Sequence, residues 1–384
     1  MTPPPRVLVV HNRYRIEGGE ERAVELQLRA LRAAGVPHRL YERRSSEAGR
    51  ARAGAALLRG GEASEELSSA ARRLGADLAH VHNLQPLVGP RGLEAARSAG
   101  ARVVLHLHNV RVFCAIGVAS RDGGPCFRCR GRLTLPGLVL NCRGSLPEAA
   151  VYAAALSLHQ PRVVAAVNRF VAPSRYAVGQ LALLGLPADR LEVLPHYLPD
   201  DAFADESRAD RGDYALVAAR LSPEKGIDLA IEAAAASGVP LRVAGEGPAA
   251  EELAELARRL GAPVELLGRV GRPEMSRLLR GAGALLLPSR YHEFAPYSVL
   301  EAMAAGVPVV ATRMGGVPEL VGPERCLPPG DAPALAARLR QLFDDPKLRR
   351  SEGEALLQRA RERHGQERFT RALLDLYARV SAGG

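Results

Sequence analysis

The chain has 384 residues, a net charge of +10, 47% apolar and 24% charged residues, which is enough to bury substantial cores in two domains. Its charge is lopsided, with 27 Arg against 16 Asp plus Glu in residues 1–200 (+11) and a balance of −1 in the remainder, so the first half carries either a basic surface for an anionic acceptor or membrane face or, as such an excess more commonly means, an Arg-rich solvated surface. No basic, apolar, small-residue leader pattern opens the chain, no apolar run approaches the ~18 residues that span a bilayer, and five cysteines do not suit a disulfide framework, so a cytoplasmic protein is expected.

In chain order, Arg6–Val10 reads as a buried strand ending at His11, followed by the loop Ile16–Glu21 and a helix to Ala33. The loop lacks G-x-G-x-x-G, which argues against a nicotinamide enzyme. Gly18 and Gly19 suit either close approach of backbone to a ligand or a plain tight turn. Strands follow at Leu78–His82 and Arg102–His106, with helical segments between them, as a doubly wound parallel sheet requires. Period-two alternation places His106 and His108 on one side at the carboxyl end of the second strand.

The loop-like insert Val110–Ser145 carries six arginines against Asp122 alone, together with Cys114, Cys126, Cys129 and Cys142. The spacing C-x11-C-x2-C-x12-C includes one C-x-x-C pair able to reach a single metal, so a structural zinc, free thiols and redox pairing are all open. Glu148–Leu158 is Ala-rich and nearly uncharged, which fits a core helix better than a membrane-lying one. Arg169–Ala172 and Leu191–Pro195 are the last strands of this half, and the polar, acidic stretch Pro199–Gly212 reads as a linker.

Tyr214–Ala219 is a strand that delivers Arg220 and Lys225 to the start of the helix Ile227–Ala236. Lysine occurs only at positions 225 and 347, so the ammonium at a helix N-terminus stands out in a chain that otherwise uses arginine. A cation there opposes the helix dipole unless an anion is bound, and a planar fork beside a compact point charge suits a diphosphate. Strands at Leu241–Ala244 and Val264–Leu267 end in glycine turns, the second holding Val270. Ala284–Leu287, the loop Tyr291–Ser298, a helix capped by Gly306 and the strand Val307–Thr312 complete a strand–helix–strand unit. Glu293 lies in that loop and Glu301 about a turn inside the helix. Glu293 is alternatively a solvated loop carboxylate, and Ser298-x-x-Glu301 is also a capping box. The last helix, Glu367–Val380, carries Phe369, Leu373, Leu376 and Tyr377 on one face.

The E-x7-E pair Glu293/Glu301, in its strand–loop–helix setting, together with Arg220 and Lys225, resembles glycosyltransferase family 4 over nearly the full chain. The insert resembles a cysteine-bearing branch of it. The resemblance implies an α/β GT-B fold of two Rossmann-like doubly wound domains facing a central cleft. Residues 1–198 would bind acceptor and carry the insert 110–145, residues 199–365 would bind a nucleotide-diphosphate sugar, and 366–384 would form a terminal helix returning to the first domain. Catalytic roles would fall to His108, Glu293, Arg220 and Lys225, although a structural histidine would look the same as His108 in the sequence. Donor contacts would come from Gly18, Gly19, Arg220, Lys225, Val270, Ala295, Pro296, Tyr297, Ser298 and Glu301.

Relatives often show Asn-Gly where this chain has His196-Tyr197, which leaves the backbone role of that turn unassigned. No Asp-x-Asp occurs, so catalysis without a metal cofactor is implied, any zinc being structural on Cys114, Cys126, Cys129 and Cys142. The activity implied is retaining, hexosyltransferase-type transfer in cell-surface glycan, glycolipid or secondary-metabolite glycosylation. The expected partners are the sugar donor, an anionic acceptor and the inner membrane face as a peripheral contact, and no nucleic acid. A sugar-nucleotide epimerase of the same fold and a nucleotide-sugar-binding protein without turnover are the alternatives.

Overall fold

The computed structural model describes residues 4–14, 18–62 and 64–383; the predicted loop residues Ile16 and Glu17 lie outside that set. The chain divides into two compact units, the first made of residues 1–119, 126–196 and 367–384, the second of residues 120–125 and 197–366. Among the described residues no helix is long and apolar enough to cross a membrane.

The first unit begins with β1 (Val7–Arg13), α1 (Gly19–Ala33), β2 (His38–Arg44), α2 (Arg50–Arg59), α3 (Glu65–Leu74), β3 (Leu78–Val81), α4 (Gly89–Ser98) and β4 (Arg102–His106). A two-residue hairpin, β5 (Ser120–Arg121) with β6 (Gly124–Pro125), precedes α5 (Leu135–Val139), α6 (Leu146–Ala166), β7 (Arg169–Ala172), α7 (Arg175–Leu183) and β8 (Leu191–Val193). The six long-range strands pair in parallel in the order β2-β1-β3-β4-β7-β8. Val7–Val10 are completely buried because helices cover both faces of a parallel sheet, which is why the run is uninterruptedly apolar. β1 continues to Arg13, past the predicted end, because its polar tail is paired with β2 and Asn12 is satisfied by Ser45 (2.8 Å) and the Leu87 N–H (2.9 Å).

The second unit runs through β9 (Tyr214–Ala218), α8 (Ile227–Ser237), β10 (Leu241–Ala244), α9 (Ala250–Leu260), β11 (Val264–Gly268), α10 (Arg272–Gly281), β12 (Ala282–Leu287), α11 (Tyr297–Ala304), β13 (Val309–Thr312), α12 (Val317–Val321), β14 (Cys326–Leu327), α13 (Ala332–Asp344) and α14 (Pro346–His364). Its parallel sheet has the order β11-β10-β9-β12-β13-β14. Strand order reverses between β1 and β3 in the first sheet and between β9 and β12 in the second. Ligands in open α/β sheets sit at the carboxyl ends of such a pair.

Two expectations need correction. The stretch 199–212 is packed structure and not a free linker: Ser207 is wholly buried, its Oγ donates to the Gly306 carbonyl (2.5 Å), and its N–H donates to Glu354 (2.9 Å). The capping box at Ser298 does not form, because Pro296 is the N-cap residue and α11 already starts at Tyr297, which puts Ser298 inside the first turn. The final helix, α15 (Gln366–Ser381), buries Phe369, Leu373, Leu376, Tyr377 and Val380. The Tyr377 hydroxyl bonds Gln27 of α1 and His80 of β3, both at 2.8 Å, so the helix is held within the first unit.

Candidate functional site

In the second unit, loops from β9, β12 and β13 meet at the carboxyl ends of adjacent strands. Lys225 Nζ donates to Glu293 Oε1 (2.7 Å) and to the Tyr291 hydroxyl (3.0 Å). Tyr291 in turn donates to Glu293 Oε2 (2.6 Å), and Ser289 to Oε1 (2.9 Å). The Lys225 side chain is 18% exposed and that of Glu293 only 6%, so this is a buried ion pair and Glu293 is not a solvated loop carboxylate. Burial alone would lower the Lys225 pKa, but the Glu293 charge and Tyr291 outweigh it and raise it.

Backbone fit holds the two loops together. A Cβ at Gly226, whose φ is +65°, would lie 2.1 Å from the Pro288 carbonyl oxygen, and one at Gly315 (φ +61°) would lie 2.1 Å from that of Glu293. The Gly316 N–H donates to Glu293 O (2.7 Å), the Arg290 N–H to Glu224 O (2.8 Å), and Arg290 grips Asp228 with two bonds of 2.5 Å. Arg220, whose side chain is 53% exposed, reaches Glu224 (2.7 Å) and Ser222 (3.3 Å), which leaves further guanidinium N–H groups directed to solvent. Ala295 and Tyr297 are buried beside the N-terminus of α11, Pro296, Ser298 and Glu301 are half-buried, and Val270 is half-buried in the turn after β11.

The first unit carries a second cluster, at the switch between β1 and β3. Gly18 is the N-cap of α1 with extended φ (−150°), and Gly19 begins the helix. The Glu21 carboxylate accepts from the N–H groups of Gly18 (2.8 Å) and Tyr14 (3.0 Å). Among the described residues, a Cβ on Gly18 would meet Glu21 at 3.8 Å, an ordinary contact distance. Glu20 is buried, and burial, reinforced by the Glu21 charge, pushes its carboxyl up to about 8.

His108 belongs to a ladder of rings. His106 and His108 stack with centroids 4.2 Å apart, His82 and His108 at 5.2 Å, His108 and His196 at 5.5 Å. His82 Nε2 lies 2.6 Å from Gln27 Oε1, His82 Nδ1 2.9 Å from His108 Nε2, and His108 Nδ1 3.4 Å from His196 Nε2. Burial first, then the neighbouring rings, lowers the pKa of His82, His106 and His108 well below the usual imidazole value, so each carries a single proton at neutral pH.

The direction of the chain follows. The Gln27 amide donates to Tyr377 (2.8 Å), so its oxygen accepts from His82 Nε2–H. His82 Nδ1 must then accept from His108 Nε2–H, which leaves His108 Nδ1 as an acceptor. The groups His80/His82/His106 and His106/His108/His196 each bring nitrogens within 4.8 Å; His80 stacks on His82, His106 on His108 and His108 on His196, while His106 is tilted against His80, His82 and His196.

Strand alternation placed His108 just past the end of β4 and the family resemblance singled it out; Gln27, His82, His196 and Tyr377, which the sheet order and α15 bring to it, were not among the expected site residues. The only available signal was the abundance of histidines at strand ends. Cys114, Cys126, Cys129 and Cys142 are half-buried, and among the described residues none is in a disulfide. Burial and the charges of the other three push Cys129 up to about 11, so the four share a neighbourhood. Among the described residues their sulfurs do not form a set within 4.8 Å of one another, whereas a tetrahedral zinc site needs them about 3.8 Å apart.

Residues 200–359 match the family described as Glycosyl transferases group 1. The chain is 37% identical over 182 residues to an exopolysaccharide phosphotransferase of Streptomyces coelicolor, covering 44% of this chain and 19% of that one. It is 33% identical over 208 residues to the putative colanic acid biosynthesis glycosyltransferase WcaL of Salmonella typhimurium, covering 49% and 50%. It therefore spans a fifth to a half of the length of these curated relatives. Anabaena HepE, solved in complex with UDP and glucose, superposes with a TM-score of 0.69 at 16% identity, over 97% of this chain and 99% of that one. Residues 200–359 are thus a glycosyltransferase group 1 domain, set in a chain with the GT-B fold.

Proposed function

We propose that this chain transfers a sugar from a nucleotide-diphosphate sugar to an anionic acceptor with retention at the anomeric carbon. The observation that carries the reading is the group Arg220, Lys225 and Glu293 at the sheet switch point beside the α11 N-terminus, where a diphosphate would meet a guanidinium, an ammonium and the positive end of a helix dipole. UDP and glucose bound to HepE, and the exopolysaccharide and colanic acid named for the relatives, support a nucleotide-sugar donor and a polysaccharide setting.

Arg220 and Lys225 bind the diphosphate and stabilise the charge that develops on it as it leaves, so the chain supplies by electrostatics what a metal would otherwise supply. Lys225 is held in place by Glu293 before the donor arrives. The leaving phosphate takes the acceptor proton, and transfer proceeds on one face of the sugar. Glu301 grips the ribose, Val270 and Ala295–Ser298 border the nucleotide, and His108 with the Gly18–Gly19 backbone serves the sugar and acceptor.

A panel of nucleotide sugars screened by thermal shift, followed by product mass and anomeric configuration, tests the proposal. The expected product keeps the donor's anomeric configuration. A freely released epimerised nucleotide sugar, an inverted product, or binding without turnover on any acceptor would each replace this reading.

A further inference from the structure

We propose that residues 128–146, with Leu158 and Leu183, form a docking surface for an anionic phospholipid bilayer. The stretch 126–147 contains Arg128, Arg130, Arg132 and Arg143 and no Asp, Glu or Lys. From the same stretch project Leu133 (50% exposed), Leu135 (57%), Val139 (72%) and Leu146 (59%), joined by Leu158 (57%) and Leu183 (78%). Six of the ten exposed large apolar side chains among the described residues therefore belong to this one region of the first unit, which single scattered surface leucines would not produce.

The elements are held side by side. Thr134 Oγ1 donates to the Ala153 carbonyl (2.6 Å), which fixes the start of α5 on α6, and the buried Gly137 keeps the short helix close. Arg132 Nε donates to Ser157 O (3.3 Å), next to Leu158, and the Gly131 N–H donates to Leu184 O (2.7 Å), next to Leu183. Arg143 lies over the Tyr152 ring (4.4 Å) and pairs with Glu148 (3.2 Å), which leaves Arg128, Arg130 and Arg132 as the exposed cations of the face.

Apolar side chains that protrude from α5, α6, α7 and the loop before α5, rimmed by arginines, fit a fluid interface, where the leucines enter the acyl boundary and the guanidinium groups stay at the phosphates. A second copy fits poorly, because a two-fold contact would set these arginines against themselves. The surface is independent of the sugar-transfer reading and is tested without donor or acceptor.

Flotation of the full chain with vesicles of phosphatidylcholine, or of phosphatidylcholine with phosphatidylglycerol, is the experiment. Binding is expected to the anionic vesicles only and to weaken with salt. The pair Leu135→Asp/Val139→Asp, the single Leu183→Asp on a different element, and the pair Arg128→Glu/Arg130→Glu are each expected to lower the bound fraction ~tenfold or more with unchanged melting. A full chain that stays with the soluble fraction, or variants that float like wild type, would overturn the proposal. A lipid-free dimer dissolved by Val139→Asp would overturn it too, by giving the face to a second copy.

Discussion

Lys225→Met tests the buried ion pair of the second unit most directly. The substitution keeps the stem of the side chain and removes the ammonium that lies 2.7 Å from Glu293. Glu293 then keeps Ser289 and Tyr291 as hydroxyl donors but has lost its counter-charge at a site only 6% exposed. Breaking a buried pair in this way costs ~3–5 kcal/mol, and Glu293→Gln should cost a similar amount by stranding the ammonium. For a unit of the size of residues 197–366 that is a fall of about 6–20 °C in melting temperature. The double variant Lys225→Met/Glu293→Gln removes both charges and should be less destabilised than the two singles combined by ~2 kcal/mol or more. Urea unfolding of all four proteins closes the cycle. Singles that cost under ~1 kcal/mol and add up in the double variant would mean that the pair is screened by water and holds no loop in place. If the functional proposal is right, Lys225→Met also weakens nucleotide-sugar affinity ~tenfold or more, since a charge-assisted contact contributes ~1.5–3 kcal/mol.

Gln27→Leu removes the amide that orients the histidine ladder; nitrogen NMR of labelled histidine should show His108 as a single Nε2–H tautomer in the wild type and a mixture in the variant, and an unchanged spectrum would refute the assigned direction. Glu20 titrates near 8 when folded and near the ordinary carboxyl value when unfolded, so it contributes a loss of stability as pH rises from about 4.5 to about 8. Glu20→Gln should therefore gain stability relative to wild type at pH 8 but not at pH 4, by up to ~4 kcal/mol, and an equal difference at both pH values would contradict the buried neutral acid. A structural zinc on Cys114, Cys126, Cys129 and Cys142 requires one equivalent of metal per chain that Cys129→Ser releases; metal well below that level, with four freely titratable thiols in the folded protein, would leave the insert to hydrogen bonds such as those of Thr134, Gly131 and Arg132.

Much of the framework was legible in the residues themselves. Val7–Val10 and Ala284–Leu287 read as buried parallel strands because continuous apolar runs are what a sheet covered on both faces demands. Lys225 and Glu293 stood out by composition and position, since each lies in a polar loop between a strand and a helix. β2 escaped notice because His38–Arg44 is a polar edge strand with one pairing partner, so no alternating pattern marks it. What tertiary structure decided is who meets whom. Lys225 and Glu293 are 68 positions apart and touch because β9 and β12 are sheet neighbours. Gln27, His82, His108, His196 and Tyr377 gather because β1, β3, β4, β7 and β8 follow one another in the sheet and α15 brings Tyr377 to Gln27. The arginine excess of the insert was countable in the chain, but the leucines of α6 and α7 joined it only once Gly131 and Arg132 were bonded to Leu184 and Ser157. Periodicity and composition are local properties that neighbouring residues impose through φ/ψ preference and burial, whereas strand order is a long-range property that only the packed sheet defines.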